Sequence, residues 1–201
     1  MNPIDAAKIA ERCQRNWDYS KPIPQDDIDT IVNTAKTMPT KQNRMYYRII
    51  VSTNQKYNKK LYKLSINEDD PSFEKKYHRN SQVLAPLTLS FIPPQKWPVH
   101  EFDDDISKNF YTSIGIASGV AAHTAATLGY RTGYCACIHE ETYEKLLTTK
   151  LNLEFEHFGS GLILGIGHPN SLYKRWDVVV DNALRIKLDD SCDKEIEIIT
   201  I

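Results

Sequence analysis

Few residues of this chain have the type and spacing to do chemistry. Cys137 and His139 stand two apart in a stretch that reads as extended, so their side chains share a face and could form a thiol–imidazole pair for nucleophilic attack. A small buried hydrophobe is the plainer reading of that cysteine. Cys135-Ala136-Cys137 is too tight for the usual zinc spacing, and no second Cys/His pair lies near it. Asp103-Asp104-Asp105 fits a solvated loop or helix start better than a cation site. His123 falls on an apolar helix and reads as a core or interface histidine. The chain has no G-x-G-x-x-G, no G-x-x-x-x-G-K-S/T, no H-E-x-x-H and no G-x-S-x-G. No metal is expected and no acid–base constellation emerges. An enzyme built from these residues would leave the chemistry to a cofactor.

Charge gives a second lead. The 201 residues hold 25 Lys and Arg against 26 Asp and Glu, net −1, which disfavours a nucleic-acid binder that works by overall charge. From Lys41 to Gln82 there are ten basic and four acidic residues, net +6, so the rest sums to −7. A solvated helical surface accounts for most of that patch, and a small anionic ligand would account for a few of its cations. The aromatic pairs Tyr46-Tyr47 and Phe110-Tyr111 suit either a cavity wall or the core.

The elements that must position these groups follow from periodicity. Asn2-Pro3 starts a helix on which Ile4, Ala7, Ala10 and Cys13 recur every third residue. Ile28, Ile31, Val32 and Ala35 mark a second helix that stops before Pro39. Tyr46 to Thr53 is a strand, Gln55 to Ile66 and roughly 72–81 are polar helices, and Leu84 to Ile92 is a strand whose ladder begins after Pro86. Asp105 to Leu128 is the longest helix, small and apolar nearly all round in its second half, with Gly129 as its cap. Arg131 to Ile138 is extended, Glu140 to Leu151 helical, and Gly161 to Gly167 a buried strand. Glu195 to Ile201 alternates and needs a sheet to join. This pattern predicts one mixed α+β domain over residues 1–201 with helices about a central sheet. The N-terminal stretch has no apolar core of signal type, no run approaches membrane-spanning length, and four cysteines are no disulfide scaffold; the expectation is a cytoplasmic protein without nucleic-acid or membrane partners.

Four segments, taken in order, resemble the nitroreductase family of FMN-dependent oxidoreductases. Glu11-Arg12-Cys13-Gln14-Arg15-Asn16-Trp17 is similar to the family's R-R-S-x-R-x-F/Y motif, with Glu11 at the first arginine and Cys13 at the serine. Pro39-Thr40-Lys41-Gln42-Asn43-Arg44-Met45-Tyr46-Tyr47 is similar to P-S-x-x-N-x-Q-P-W. Ala117 to Cys137 resembles the family's small-residue helix running into an extended segment. Leu164-Gly165-Ile166-Gly167-His168-Pro169, followed by Lys174-Arg175, resembles its late strand, turn and phosphate-reaching basic pair.

The resemblance implies a nitroreductase-like fold with a mixed sheet, a long central helix and a C-terminal strand at a homodimer interface. It implies that Arg12, Cys13, Arg15, Lys174 and Arg175 surround the flavin phosphate and ribityl chain. Pro39, Thr40, Lys41 and Asn43 would reach the flavin from the other subunit. Gln82 would lie at the pyrimidine edge, and Tyr134, Cys135 and Ala136 beside N5. Tyr46, Phe110 and Tyr111 are the expected substrate-pocket residues. The implied activity is hydride transfer from NADH or NADPH through FMN to a nitroaromatic or quinone, in ping-pong order. Two rivals stand beside it: a flavin-binding protein without efficient turnover, and an interaction protein that kept the fold alone.

Overall fold

A computed structural model describes residues 1–65, 80–98, 105–159 and 161–187. The helix expected at 72–81 falls mostly outside these residues; the loop at 67–72, Asp103, Asp104, Cys192 and the segment 195–201 fall wholly outside them.

Helix α1 (Pro3–Ala10) begins as its sequence dictates: Asn2 Oδ1 accepts the Asp5 N–H at 2.9 Å. The expected apolar stripe fails, however. Ile4 is 67% exposed and Ala6 is the buried residue. A three-residue step turns about 300° around a helix, so such a stripe drifts about 60° per step and does not stay on one face. In α2 (Gln25–Lys36) the spacing is a true helical one, and Ile28, Ile31 and Ala35 are buried. A tight turn at Lys41–Asn43 leads to β1 (Arg48–Ser52), which starts after Tyr46 and Tyr47. Asn54 caps α3 (Gln55–Leu64) by accepting the Lys56 N–H at 2.9 Å.

After a short 3-10 turn at Ser81–Leu84, β2 (Leu87–Ile92) begins past Pro86 as expected. Asp105 caps α4 (Ile106–Thr127) by accepting the Lys108 N–H, and Gly129 at φ +93° ends it. Strand β3 (Arg131–Cys135), helix α5 (Glu140–Leu151) and strand β4 (Leu162–Gly167) follow. The hairpin β5 (Val178–Val180) and β6 (Ala183–Ile186) was not anticipated. Its signal was legible: Val178-Val179-Val180, then Asp181-Asn182, which take φ +49° and +58° as a two-residue hairpin turn demands.

The main sheet has strand order β1-β2-β4-β3. All three described pairings are antiparallel, so the sheet expected as mixed is antiparallel among the described residues. Strand alternation sends Leu87, Leu89, Phe91 and Leu164 to one side, where they pack with Ile28, Ile31 and the buried residues of α4. Ile92, Ile163 and Cys135 turn to the other side and meet Leu61 of α3 and Tyr143 and Leu147 of α5. The result is three layers, helices on both faces of a four-stranded sheet. On helix α4, Ala117, Ala121 and Ala125 are buried but Gly115, Ile116 and Gly119 are exposed, so one face of a helix that is apolar nearly all round has no cover among the described residues. No helix among the described residues is long and apolar enough to cross a membrane.

Candidate functional site

Among the described residues strand β3 ends the sheet, and its outer edge is where several expected site residues gather. The chain leaving α1 runs along that edge: the Gln14 N–H donates to the Thr132 carbonyl at 2.8 Å. Cys13 Sγ lies 3.9 Å from the Tyr134 carbonyl oxygen. The same carbonyl accepts Gln82 Nε2 at 3.0 Å. Arg15 Nη1 donates to Gln82 Oε1 at 2.7 Å, so the Gln82 amide is fixed from both ends. The Arg15 N–H donates to the Arg175 carbonyl at 2.9 Å, and the Arg175 guanidinium reaches back to the Ile9 carbonyl at 2.7 Å. Three distant segments, 12–15, Gln82 and 174–175, therefore meet at one strand edge.

Glycines make this approach possible. A Cβ on Gly133 would sit 2.4 Å from the Gln14 carbonyl oxygen and 2.7 Å from Gln82 Cβ. On Gly165 it would sit 2.0 Å from the Gln82 carbonyl oxygen. Side chains at either position would push the loops off the sheet. Further residues hold the loops in place, and the motifs did not single out their role. Gln14 and Asn16 are buried amides: Gln14 Nε2 donates to the Asn16 carbonyl at 2.7 Å, and Asn16 Nδ2 donates to the Lys174 carbonyl. Ser81 Oγ donates to the Arg15 carbonyl at 2.6 Å, and Trp17 Nε1 to the Ser81 carbonyl at 3.1 Å. Polar residues between charged ones read as surface in a sequence. A glycine inside each of two strands was the available signal.

The electrostatics are cationic. Burial pushes the Cys13 thiol up, against the pull of Arg15 and Arg175, so Cys13 is a neutral thiol where the resembling motif has a serine. Glu11 is exposed, and its N–H donates to the Ala7 carbonyl at the end of α1. Lys174 is exposed, while Arg12, Arg15 and Arg175 are half-buried. Ala136 is exposed beside the buried Cys135. The Cys137–His139 pair expected from the sequence has no hydrogen bond among the described residues; His139 Nδ1 instead lies 3.2 Å from Thr142 Oγ1. Burial also pushes the Tyr134 phenol up to about 12, and it donates to the Ser118 carbonyl at 3.0 Å.

The second group of expected residues sits elsewhere. Pro39, Thr40 and Lys41 line a cavity of about 390 Å³ with Lys108, Asn109, Thr112 and Ile116 of α4. Thr40 Oγ1 donates to the Arg44 carbonyl at 2.6 Å, and Asn43 takes φ +53°. Positions 116 and 118 differ by about 200° around a helix, so the Thr40 cavity and the Tyr134–Ser118 contact lie on different sides of α4. Within one chain these two groups are not brought together.

Of the expected substrate residues, Tyr46 is fully buried and belongs to the core, which corrects its reading as a cavity wall. Phe110 is 2% exposed and Tyr111 52% exposed. Both line a cavity of about 290 Å³ with Trp97, Glu140, Phe158 and Gly159, and the Phe110 ring lies edge-on to Trp97 with centroids 5.6 Å apart. Glu140 opens α5, five residues past the end of β3, so this cavity borders the segment that follows that strand. Among the described residues no cluster of three or more His, Cys, Asp or Glu is placed to hold a metal ion.

No protein-family model matches the chain, and no curated protein matches it in sequence. Solved structures do match. The alignment with NfrA2 of B. megaterium covers 95% of this chain and 77% of that one, at 19% identity and TM-score 0.68. A nitroreductase family protein of Clostridium novyi NT aligns over 86% of this chain and 87% of its own, at 19% identity and TM-score 0.64. An oxidoreductase containing FMN aligns over 85% and 79%, at 19% identity and TM-score 0.60. The chain has the nitroreductase fold, as the four motifs implied.

Proposed function

We propose that residues 1–201 form one FMN-binding domain of a homodimeric, NAD(P)H-dependent oxidoreductase. The observation that carries this reading is the convergence of Arg15, Gln82 and Arg175 on the edge of β3, from segments that are far apart in sequence. A phosphate dianion needs guanidinium or ammonium donors, and the segments that meet here carry Arg12, Arg15, Lys174 and Arg175. Glu11, being exposed, does not spoil that charge balance. The FMN-containing oxidoreductase among the structural neighbours supports the same cofactor.

In this reading Arg15, bonded to Gln82, would lie with it at the polar edge of the ring, while Arg12, Lys174 and Arg175 would serve the phosphate. FMN held by these residues would supply the redox chemistry, hydride transfer from NADH or NADPH to an electron-poor acceptor such as a nitroaromatic or quinone in ping-pong order. The chain's own part is electrostatic and steric. Arg15 and Gln82 place positive charge and an N–H where negative charge grows on reduction. The backbone at Tyr134–Ala136, pinned through the Tyr134 carbonyl, sets the floor of the site. The cavity lined by Phe110 and Tyr111 offers apolar walls for an aromatic acceptor.

The dimer reading rests on α4 and on Thr40. Two exposed glycines on one helix face, Gly115 and Gly119, have nothing within 4 Å of a built Cβ. Each costs about 0.5–1 kcal/mol against alanine, a cost that close approach of a second subunit's backbone offsets. Thr40, Lys41 and Asn43, turned away from their own β3 edge, are positioned to complete a partner's site. The free thiols at Cys13, Cys135 and Cys137 fit the cytoplasmic compartment we assign. The test is to measure released flavin per chain together with mass in solution. One FMN per chain in a dimer supports the reading. Gly119→Leu should then give a folded monomer that has lost flavin, and a monomeric native protein lacking FMN would refute it.

A further inference from the structure

The cavity between α4 and the start of α5 holds a carboxylate among aromatic rings. Of about 290 Å³, it is walled by Trp97, Phe110, Tyr111 and Phe158. The Phe110 ring stands at 84° to Trp97 and 58° to Tyr111, with centroids 5.6 and 5.0 Å apart, so these rings form a concave cage and not a stack. Glu140 and His157 also line it, and no Lys or Arg among the described residues does. The carboxylate is brought to the rings by the fold. A Cβ built on Gly159 would lie 3.6 Å from Tyr111 Oη, 3.8 Å from Phe110 Cε1 and 4.0 Å from Glu140 Oε1. Helix α4, the first turn of α5 and the segment before β4 therefore converge on one point of the wall. Among the described residues no hydrogen bond or ion pair engages the Glu140 carboxylate.

We propose that this cavity selects aromatic cations, flat rings carrying delocalised positive charge, and that Glu140 sets the preference. The inference rests on the reading of the same cavity as the acceptor pocket, and it narrows the acceptor from any electron-poor ring to a cationic one. A positive ring is attracted twice, by the negative faces of the cage and by the full charge of the carboxylate. A neutral ring gains only from burial, and an anionic ring is repelled by both. The opposite sign lines the cavity of about 440 Å³ at the end of α2, where Lys36, Arg44 and Arg48 stand without an acid. The acidic lining is therefore particular to the aromatic cavity and not common to the hollows of this chain.

The test is a ligand-observed NMR titration of the purified chain at pH 8, where an imidazole is uncharged. Three probes of similar size are used: N-methylpyridinium, toluene and benzoate. Both attractions act in an exposed setting, so N-methylpyridinium should bind about tenfold more tightly than toluene, and benzoate more weakly than either. Glu140→Gln should remove most of that advantage and leave the toluene affinity in place, which also shows that the variant is folded. Tyr111→Leu keeps apolar surface without a ring face and should cost the cation about threefold. Half-molar sodium chloride should weaken the cation alone. Gly159→Leu sends a side chain among the three converging groups and should abolish binding of all probes, with the fold checked by circular dichroism.

Equal affinities for N-methylpyridinium and toluene, a preference that survives Glu140→Gln, or cation binding that survives Gly159→Leu would each overturn the proposal. Binding needs neither flavin nor turnover, so the two readings fail separately. A chain that holds the cation through Glu140 and reduces nothing would sink the oxidoreductase reading alone. One that reduces cationic and neutral acceptors with equal kcat/KM would sink this inference alone.

Discussion

Around β3 the residues that resemble a flavin site are locked to a sheet; after α2 they are shaped by a turn of their own. Arg15, Gln82 and Arg175 are tied to each other and to the strand edge by bonds of 2.7–3.0 Å that cross most of the chain. Thr40 and Asn43 are joined to residues within four positions of themselves, and Lys41 and Asn43 are exposed. The first group is pre-organised and has its cost met by folding. The second is presented outward, across α4 from the first. Within one chain the two groups do not meet, which is what the proposed site shared between two subunits requires.

The largest effect expected from breaking this contrast is at Gly165. Gly165→Ala puts a Cβ 2.0 Å from the Gln82 carbonyl oxygen, and should destabilise the chain by about 3 kcal/mol or more, read by denaturant or thermal unfolding. The same change at Gly115, where nothing lies within 4 Å, should stabilise the isolated fold by about 0.5–1 kcal/mol. Equal effects at the two glycines would erase the distinction between a packed sheet face and an open helix face.

Charge reversal comes next. Arg175→Glu should weaken FMN retention about 10- to 100-fold, the loss of a charge-assisted contact worth roughly 1.5–3 kcal/mol. Asn43→Ala should weaken it only about 2- to 10-fold, as for one neutral hydrogen bond, and should leave unfolding unchanged because the side chain is exposed. Titration of FMN into apoprotein measures both. An Asn43 effect that persists in a monomeric variant such as Gly119→Leu would place that residue in its own subunit's site.

The smallest effect lies outside both regions. Lys59 Nζ is 2.8 Å from Asp181 Oδ1, and both side chains are more than half exposed. The Lys59 hydrogen bond holds the Asp181 carboxyl below the usual carboxylate range. A depressed carboxylate contributes stability above its unfolded value of about 4 and loses it as pH falls through the folded value. Solvent screening keeps the contribution under about 1 kcal/mol, so Lys59→Ala should cost that little at neutral pH and nothing in strong acid or high salt.

Much of this was legible in the residues. Ile28, Ile31 and Ala35 repeat at helical spacing and are buried; Pro86 delays β2; Gly129 stops α4. Those signals are local, and local geometry decides them. The failures were of another kind. The apolar face expected on α1 fails because its three-residue step drifts, and the apolar residues of α4 do not tell which of its faces the described residues cover. At the site, the four motifs gave the segments, yet nothing local could say that Arg15 would be taken by Gln82, sixty-seven residues on. Gln14 and Asn16 were passed over because buried amides look like surface until their partners are known. Cys137 and His139 would share a face in an extended strand, but the chain turns into α5 after β3, and the His139 ring meets Thr142 instead.

The central claim is that the edge of β3 holds a flavin that turns over. The most direct measurement is the visible absorbance of the purified protein under anaerobic conditions, before and after NADH or NADPH and then after a quinone. The account predicts a flavin band that bleaches with the nicotinamide and returns with the acceptor. A colourless protein that FMN does not stabilise, or a yellow one that neither nicotinamide bleaches, would contradict it.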